Sequence, residues 1–292
     1  MPGEANPRSG KGERAGVGGG AGTRNGTGPG IRGDAGAASA QPLATPEYGR
    51  VIGVTTPQAN TTVEPEMQLL LGGTVLTARL TSPVADSRQR LLDYFDRLPA
   101  TLTQFDVAPL AAAGFACTGS CYLVGQQEEE RLLAAASARA RVQVISSAQA
   151  IRAALTELNV KRIALLSPYP AWLSGPGQHY WRNAGFTLTS VAGLPAELLD
   201  TRGIYQLTTA RVLDVFATLD LTGAEAVLMS GTGMPTLRAI AQLSLQHAGL
   251  PLLSSNLCLA WALDKAAGGS AALAPWLAHD AAWRARLTQR SS

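Results

Sequence analysis

From Tyr48 onward, short apolar runs alternate with stretches whose apolar residues recur at helical spacing. The short runs predict strands at 50–55, 74–80, 111–116, 142–145, 162–167, 187–191, 226–229 and 251–254. The intervening pattern predicts helices, among them 87–103, 126–140, 148–158, 203–219 and 235–247. Strand–helix alternation with short connections is the pattern of a parallel α/β sheet. Such a sheet is covered on both faces, so its strands read as continuous apolar runs.

The pattern also repeats. IGVTTP at 52–57 is echoed by IALLSP at 163–168, 111 residues on. Cys117-Thr118-Gly119 follows an apolar strand as Gly231-Thr232-Gly233 does, 114 residues on. Two separate matches at nearly one offset predict a duplicated βα unit. The expected fold class is α/β: two pseudo-symmetric lobes, each a four-stranded parallel sheet flanked by helices, with the active site in the cleft between them. The expected divisions are a first lobe at 47–148, a second at 149–256, and C-terminal helices at 257–292 packing back on the first lobe. Residues 1–46 hold 13 of the 31 glycines and almost no large apolar side chain. Such a segment buries too little surface to offset its ordering entropy, and a disordered tail is expected there.

Composition sharpens this picture. In 292 residues, 46% are hydrophobic but only 5% aromatic, so the core is built mainly from Ala, Leu and Val. That composition suits helices on a parallel sheet better than a β-sandwich. The net charge is +3, yet four arginines and Lys11 fall within the first 32 residues, leaving the rest close to neutral. No basic stripe points to nucleic acid, which is excluded as a partner. Three cysteines without a C-x-x-C pair argue against a disulfide framework and against structural zinc, and fit a reducing cytoplasm. The uncharged stretches 107–127 and 239–263 are interrupted by Gly, Pro, Gln, Ser or Asn, so no membrane span is expected. No apolar signal-peptide core stands near the start.

Ligands of parallel sheets sit at the carboxyl ends of strands, where loops lead into helix N-termini. Four such loops stand out: 56–62, Pro168-Tyr169, 117–120 and 231–233. They offer hydroxyls, amides and backbone N–H groups without a carboxylate, a lining that favours a small anion. Cys117 is the strong nucleophile among them. At a helix N-terminus its pKa, ordinarily about 8.5, is expected to fall. Cys121, one turn deeper, and Cys258 read as packing residues. His179, His247 and His279 read as surface residues, and no H-E-x-x-H, G-x-S-x-G or histidine triad occurs. No metal is expected.

Several of these residues fall into a familiar arrangement. QANTTVEPE at 58–66 resembles the opening motif of maleate cis–trans isomerases, as do Ala116-Cys117-Thr118, RIALLSPY at 162–169, MPTL at 234–237 and AWAL at 260–263. Those isomerases belong to the aspartate/glutamate racemase superfamily, with arylmalonate decarboxylase as a relative. The resemblance spans about 50–268 and implies two pseudo-symmetric lobes, no cofactor, and a site between the lobes. Family members are monomers or dimers, and a homodimer is expected. By the resemblance, Cys117 falls on the first-lobe cysteine, the nucleophile of the isomerases. Asn60 and Tyr169 match residues that hold a substrate carboxylate. Thr118, Gly119, Thr232 and Gly233 match carboxylate-binding loops, and Thr201 takes the place of a substrate-binding Asn. Gly231 stands where the second-lobe cysteine belongs, a departure from the family pattern.

One cysteine restricts the chemistry. Racemisation needs an acid and a base on opposite faces of one carbon, and Gly231 supplies neither. Cis–trans isomerisation needs only addition of the Cys117 thiolate to an alkene, bond rotation and elimination. Decarboxylation needs only one acid to protonate an enediolate. By the resemblance, arylmalonate decarboxylases carry their lone cysteine in the second lobe, so Cys117 would deliver the proton to the opposite face. The expected function is isomerisation of a small unsaturated dicarboxylate of the maleate-to-fumarate type. The alternatives are an arylmalonate-type decarboxylase and a small-anion binder whose catalysis has decayed.

Overall fold

The computed structural model describes residue 47 and residues 49–193 and 200–289. The tail expected at 1–46 lies outside the described residues. The first half runs β1 (Val51–Pro57), α1 (Val63–Leu71), β2 (Thr74–Leu80), α2 (Ser87–Leu102), β3 (Leu110–Phe115), α3 (Thr118–Val124), α4 (Gln126–Ala140), β4 (Val144–Ser146) and α5 (Ser147–Glu157). The second runs β5 (Arg162–Ser167), α6 (Ala171–Asn183), β6 (Thr187–Gly193), a 3₁₀ turn (Thr201–Gln206), α7 (Thr209–Phe216), β7 (Ala226–Met229), α8 (Leu237–Gln246), β8 (Leu252–Ser254) and α9 (Ser255–Ala266). Two short helices follow, α10 (Ala274–Leu277) and α11 (Ala282–Gln289).

Each half forms one four-stranded parallel sheet, ordered β2-β1-β3-β4 and β6-β5-β7-β8. The same order in both halves is the structural form of the sequence echo, with β1 and β5 in equivalent places. Covered on both faces, β1 and β7 are buried along their whole length, whereas the edge strands β2 and β6 are only partly so.

Every predicted strand is present, within a few residues at its ends. The helix expected at 203–219 is broken instead. Thr208 is extended and its hydroxyl side chain accepts the Arg211 N–H, so α7 starts afresh after the 3₁₀ turn. The divisions expected at 148/149 and 256/257 each cut a helix. Ser146 and Ser254 close the last strand of each sheet and cap the helix that follows, accepting N–H groups of Gln149 and Leu257. The two helices so started, α5 and α9, pack on one another, and α9 also meets α1 and β3. Nine successive residues of α9, Ser255 to Leu263, are buried. A helix apolar all round belongs in an interior, and α9 joins the halves from within.

Candidate active site

The carboxyl ends of β1, β3, β5 and β7 converge. Among the residues lining one narrow cavity there are Cys117, Gly119, Tyr169, Thr201, Thr232 and Gly233, all expected from the sequence. Pro57, from the loop singled out at 56–62, completes the wall with Leu91, Ile204 and Tyr205, which were not expected. None of these lining residues carries a charge. A larger depression lined by His247, His279 and Arg284 lies beside α8 and α11, away from the carboxyl ends of the strands.

Cys117 sits at the junction of β3 and α3, 4% exposed. Its Sγ is 3.0 Å from the Ser120 hydroxyl, which donates its proton to the Leu91 carbonyl at 2.6 Å. Either atom can donate in that contact: Ser120 accepts from the thiol while its own proton is on Leu91, and turns its O–H to Sγ when Cys117 is ionised. The lowered pKa expected for Cys117 is not found. Burial raises it, and the Ser120 side chain and the Ser120 and Gly119 N–H groups only partly offset that rise. Cys121 and Cys258 are buried, as packing residues would be.

Tyr169 is buried, and burial holds its phenol well above the ordinary value, the nearby Tyr122 and Cys117 adding to the rise. The Thr118 hydroxyl bonds to it and works the other way. The Tyr122 ring meets Tyr169 edge-on at 5.8 Å and is itself held by the Ser230 hydroxyl and by the Trp181 indole N–H at 2.8 Å. Tyr169 is thus a neutral, firmly seated hydrogen-bond donor.

Asn60, Thr118 and Gly231 are not among the lining residues, and each is engaged within the protein. Asn60 Oδ1 accepts the N–H groups of Thr62 and Val63 at 2.9 and 3.2 Å, and its amide donates to Thr232 Oγ1 at 3.4 Å. Thr118 Oγ1 bonds to Ser147 at 3.0 Å and donates to Ser255 Oγ at 3.1 Å. The Gly231 N–H donates to the same Ser255 oxygen at 2.9 Å. Gly231 has φ +135°, and a Cβ there would stand 2.8 Å from Pro168 Cγ and 3.6 Å from the Tyr169 hydroxyl. Thr232 ties the halves together by donating to the Ala116 carbonyl at 2.9 Å.

Ser147 and Ser255 therefore support the site, though sequence reasoning passed over them. The available signal was the doubled serine that ends both last strands, 146–147 and 254–255. Tyr205 lay hidden in the stretch read as helix. Glu66, within the QANTTVEPE motif, is also buried. It accepts the N–H groups of Thr236 and Leu237 at 2.7 and 3.0 Å and the Asn256 amide at 2.8 Å, fastening α1 to the start of α8. Among the described residues, no three His, Cys, Asp or Glu side chains gather as a metal site would require, and no helix is long and apolar enough to cross a membrane.

Two equivalent sheets with one cavity at their joined strand ends define the class: a pseudo-symmetric, two-lobed α/β enzyme. Residues 52–274 match the arylmalonate decarboxylase family, and the chain belongs to that family, within the aspartate/glutamate racemase superfamily. It is 28% identical over 229 residues to the maleate isomerase of Pseudomonas putida, covering 74% of this chain and 90% of that protein. The fold superimposes on a variant of the Nocardia farcinica maleate cis-trans isomerase holding a covalently bound succinylcysteine intermediate. There the TM-score is 0.67 at 23% identity, covering 75% of this chain and 93% of that one. Against arylmalonate decarboxylase the TM-score is 0.62 at 19% identity, covering 76% and 94%.

Proposed function

We propose that the protein is a cysteine-dependent isomerase of a small unsaturated dicarboxylate, converting a maleate-type cis alkene to its trans isomer. The observation that carries this reading is Cys117 standing in a cavity walled by the strand ends of both halves, with glycine at the equivalent position 231. The similarity to maleate isomerases, one of them holding a succinylcysteine, supports addition of the Cys117 sulfur to the alkene. Without a charged wall, the substrate carboxylates are held by the Tyr169 hydroxyl, by Thr201, and by backbone N–H groups at 117–119 and 232–233.

In this mechanism Cys117 first gives its proton to solvent water, and the thiolate Sγ then bonds to one alkene carbon. The π electron pair moves to the other carbon and its carboxylate, giving an enediolate. The former double bond, now single, turns. The pair then returns, the C–S bond breaks, and the trans product departs with the thiolate restored. No proton passes to or from carbon, so Gly231 is no obstacle.

One observation favours a second reading. The thiol is held protonated by burial, as suits a proton donor. A decarboxylase of the arylmalonate type would lose carbon dioxide, leaving an enediolate that Cys117 protonates from its own side. Proton NMR in D2O separates the two. Isomerase activity gives fumarate from maleate without deuterium, and only when Cys117 is present. A decarboxylase instead leaves maleate untouched and converts a disubstituted malonate to a mono-deuterated acid of one hand. Maleate turnover by the Cys117→Ala variant would overturn the cysteine mechanism.

A further inference from the structure

Arg90 occupies the first turn of α2 and is 2% exposed. Its guanidinium donates to the Ala85 carbonyl and the Ser87 hydroxyl, both at 3.0 Å, within the connection that leads into its own helix. A further N–H crosses to the other half, reaching Asp200 Oδ1 at 2.9 Å, 110 residues along the chain. Asp200 opens the 3₁₀ turn Thr201–Gln206, the same oxygen accepting the Arg202 N–H at 2.8 Å. That turn carries Thr201, Ile204 and Tyr205 to the cavity. The residue after Arg90 is Leu91, which lines the cavity and whose carbonyl holds Ser120 against Cys117. One turn of α2 is thus fastened on one side to the thiol and on the other to the opposite wall.

A buried guanidinium is tolerated only when its donors are paired, so the loss of one partner is felt where that partner sits. We propose that Arg90 is a positioning residue whose ion pair with Asp200 sets the Thr201–Tyr205 wall against Cys117. This builds on Cys117 as the reactive group and adds what fixes the width of its cavity. Asp200 is the better place to intervene, since it is half-exposed and its replacement leaves no hole in the core.

The test uses the full chain, with Asp200→Asn and Asp200→Ala. Asparagine keeps one acceptor oxygen for the Arg202 N–H but removes the charge and the second oxygen, which accepts from the Arg202 guanidinium; alanine removes both oxygens. Cys117 alkylation by iodoacetamide, located by peptide mass, reports how open the wall is. Asp200→Asn is expected to alkylate about tenfold faster than the wild type, with a thermal midpoint close to it. The KM for maleate rises about tenfold while kcat changes less than threefold, because the wall orients substrate without taking part in bond making. Wild-type alkylation in Asp200→Asn, with a change confined to Asp200→Ala, would overturn the proposal and leave Asp200 a simple cap. A fall in kcat at unchanged KM would overturn it as well. If the wild type does not isomerise maleate, the functional reading fails, yet the alkylation comparison still decides the role of Arg90.

Discussion

Cys117 is subject to opposing influences: burial favours the thiol, and the N–H groups at the head of α3 favour the thiolate. Because burial prevails, its thiolate population at neutral pH lies below that of a free cysteine. The alkylation rate of Cys117 should therefore keep climbing with pH past 9, without a plateau near neutrality, and a pH series with iodoacetamide checks this. Cys117→Ala is expected to abolish turnover in the NMR assay. Tyr169→Phe removes one donor from the developing negative charge and is expected to lower kcat by about 10²–10³-fold, measured by initial rates. Residues such as Cys117, Tyr169 and Thr232 were legible because each is a polar side chain directly after a buried run. Ser255 and Ser147 were not, since their role depends on two helix starts meeting at Thr118, a contact between distant parts of the chain.

Helix ends, more than helix interiors, knit this fold. Glu66 of α1 supplies acceptors to the first N–H groups of α8, a carboxylate placed at a positive helix end from outside the helix. Burial raises its pKa, with the bonds from Asn256, Leu237 and Thr236 working the other way. Glu66 thus binds its proton more tightly folded than unfolded. Its contribution to stability is complete below the unfolded value near 4.5 and is lost as pH rises through the folded one. Urea unfolding should show the stability difference between wild type and Glu66→Gln shrinking from pH 4 towards pH 7. Glu66→Ala strands several buried donors and is expected to cost about 2–4 kcal/mol at pH 6 by the same measurement. The strands were legible from continuous apolar runs. The break at Thr208 was not, since apolar periodicity carries across the 3₁₀ turn and only the cap interrupts it.

At the scale of the molecule, the two equivalent sheets depend on one late helix. Because α9 is buried against α5, α1 and β3, a chain ending at Ser254 should fail to fold, while one ending at Gly268 should retain its helical circular dichroism and a cooperative melt. The duplication made this architecture readable at an offset of about 111 residues, but the embedding of α9 breaks the symmetry and leaves no periodic trace. The same asymmetry reaches the site. Cys117 has φ −144°, open to any residue, whereas Gly231 has φ +135° with Pro168 against the place of a Cβ. Position 231 works as a ratchet in sequence space: a side chain gained there by one substitution meets a strained backbone and a rigid ring at once. Acquiring a thiol at 231 would require coupled change at Pro168, so the main chain as much as the residue keeps this position without a side chain.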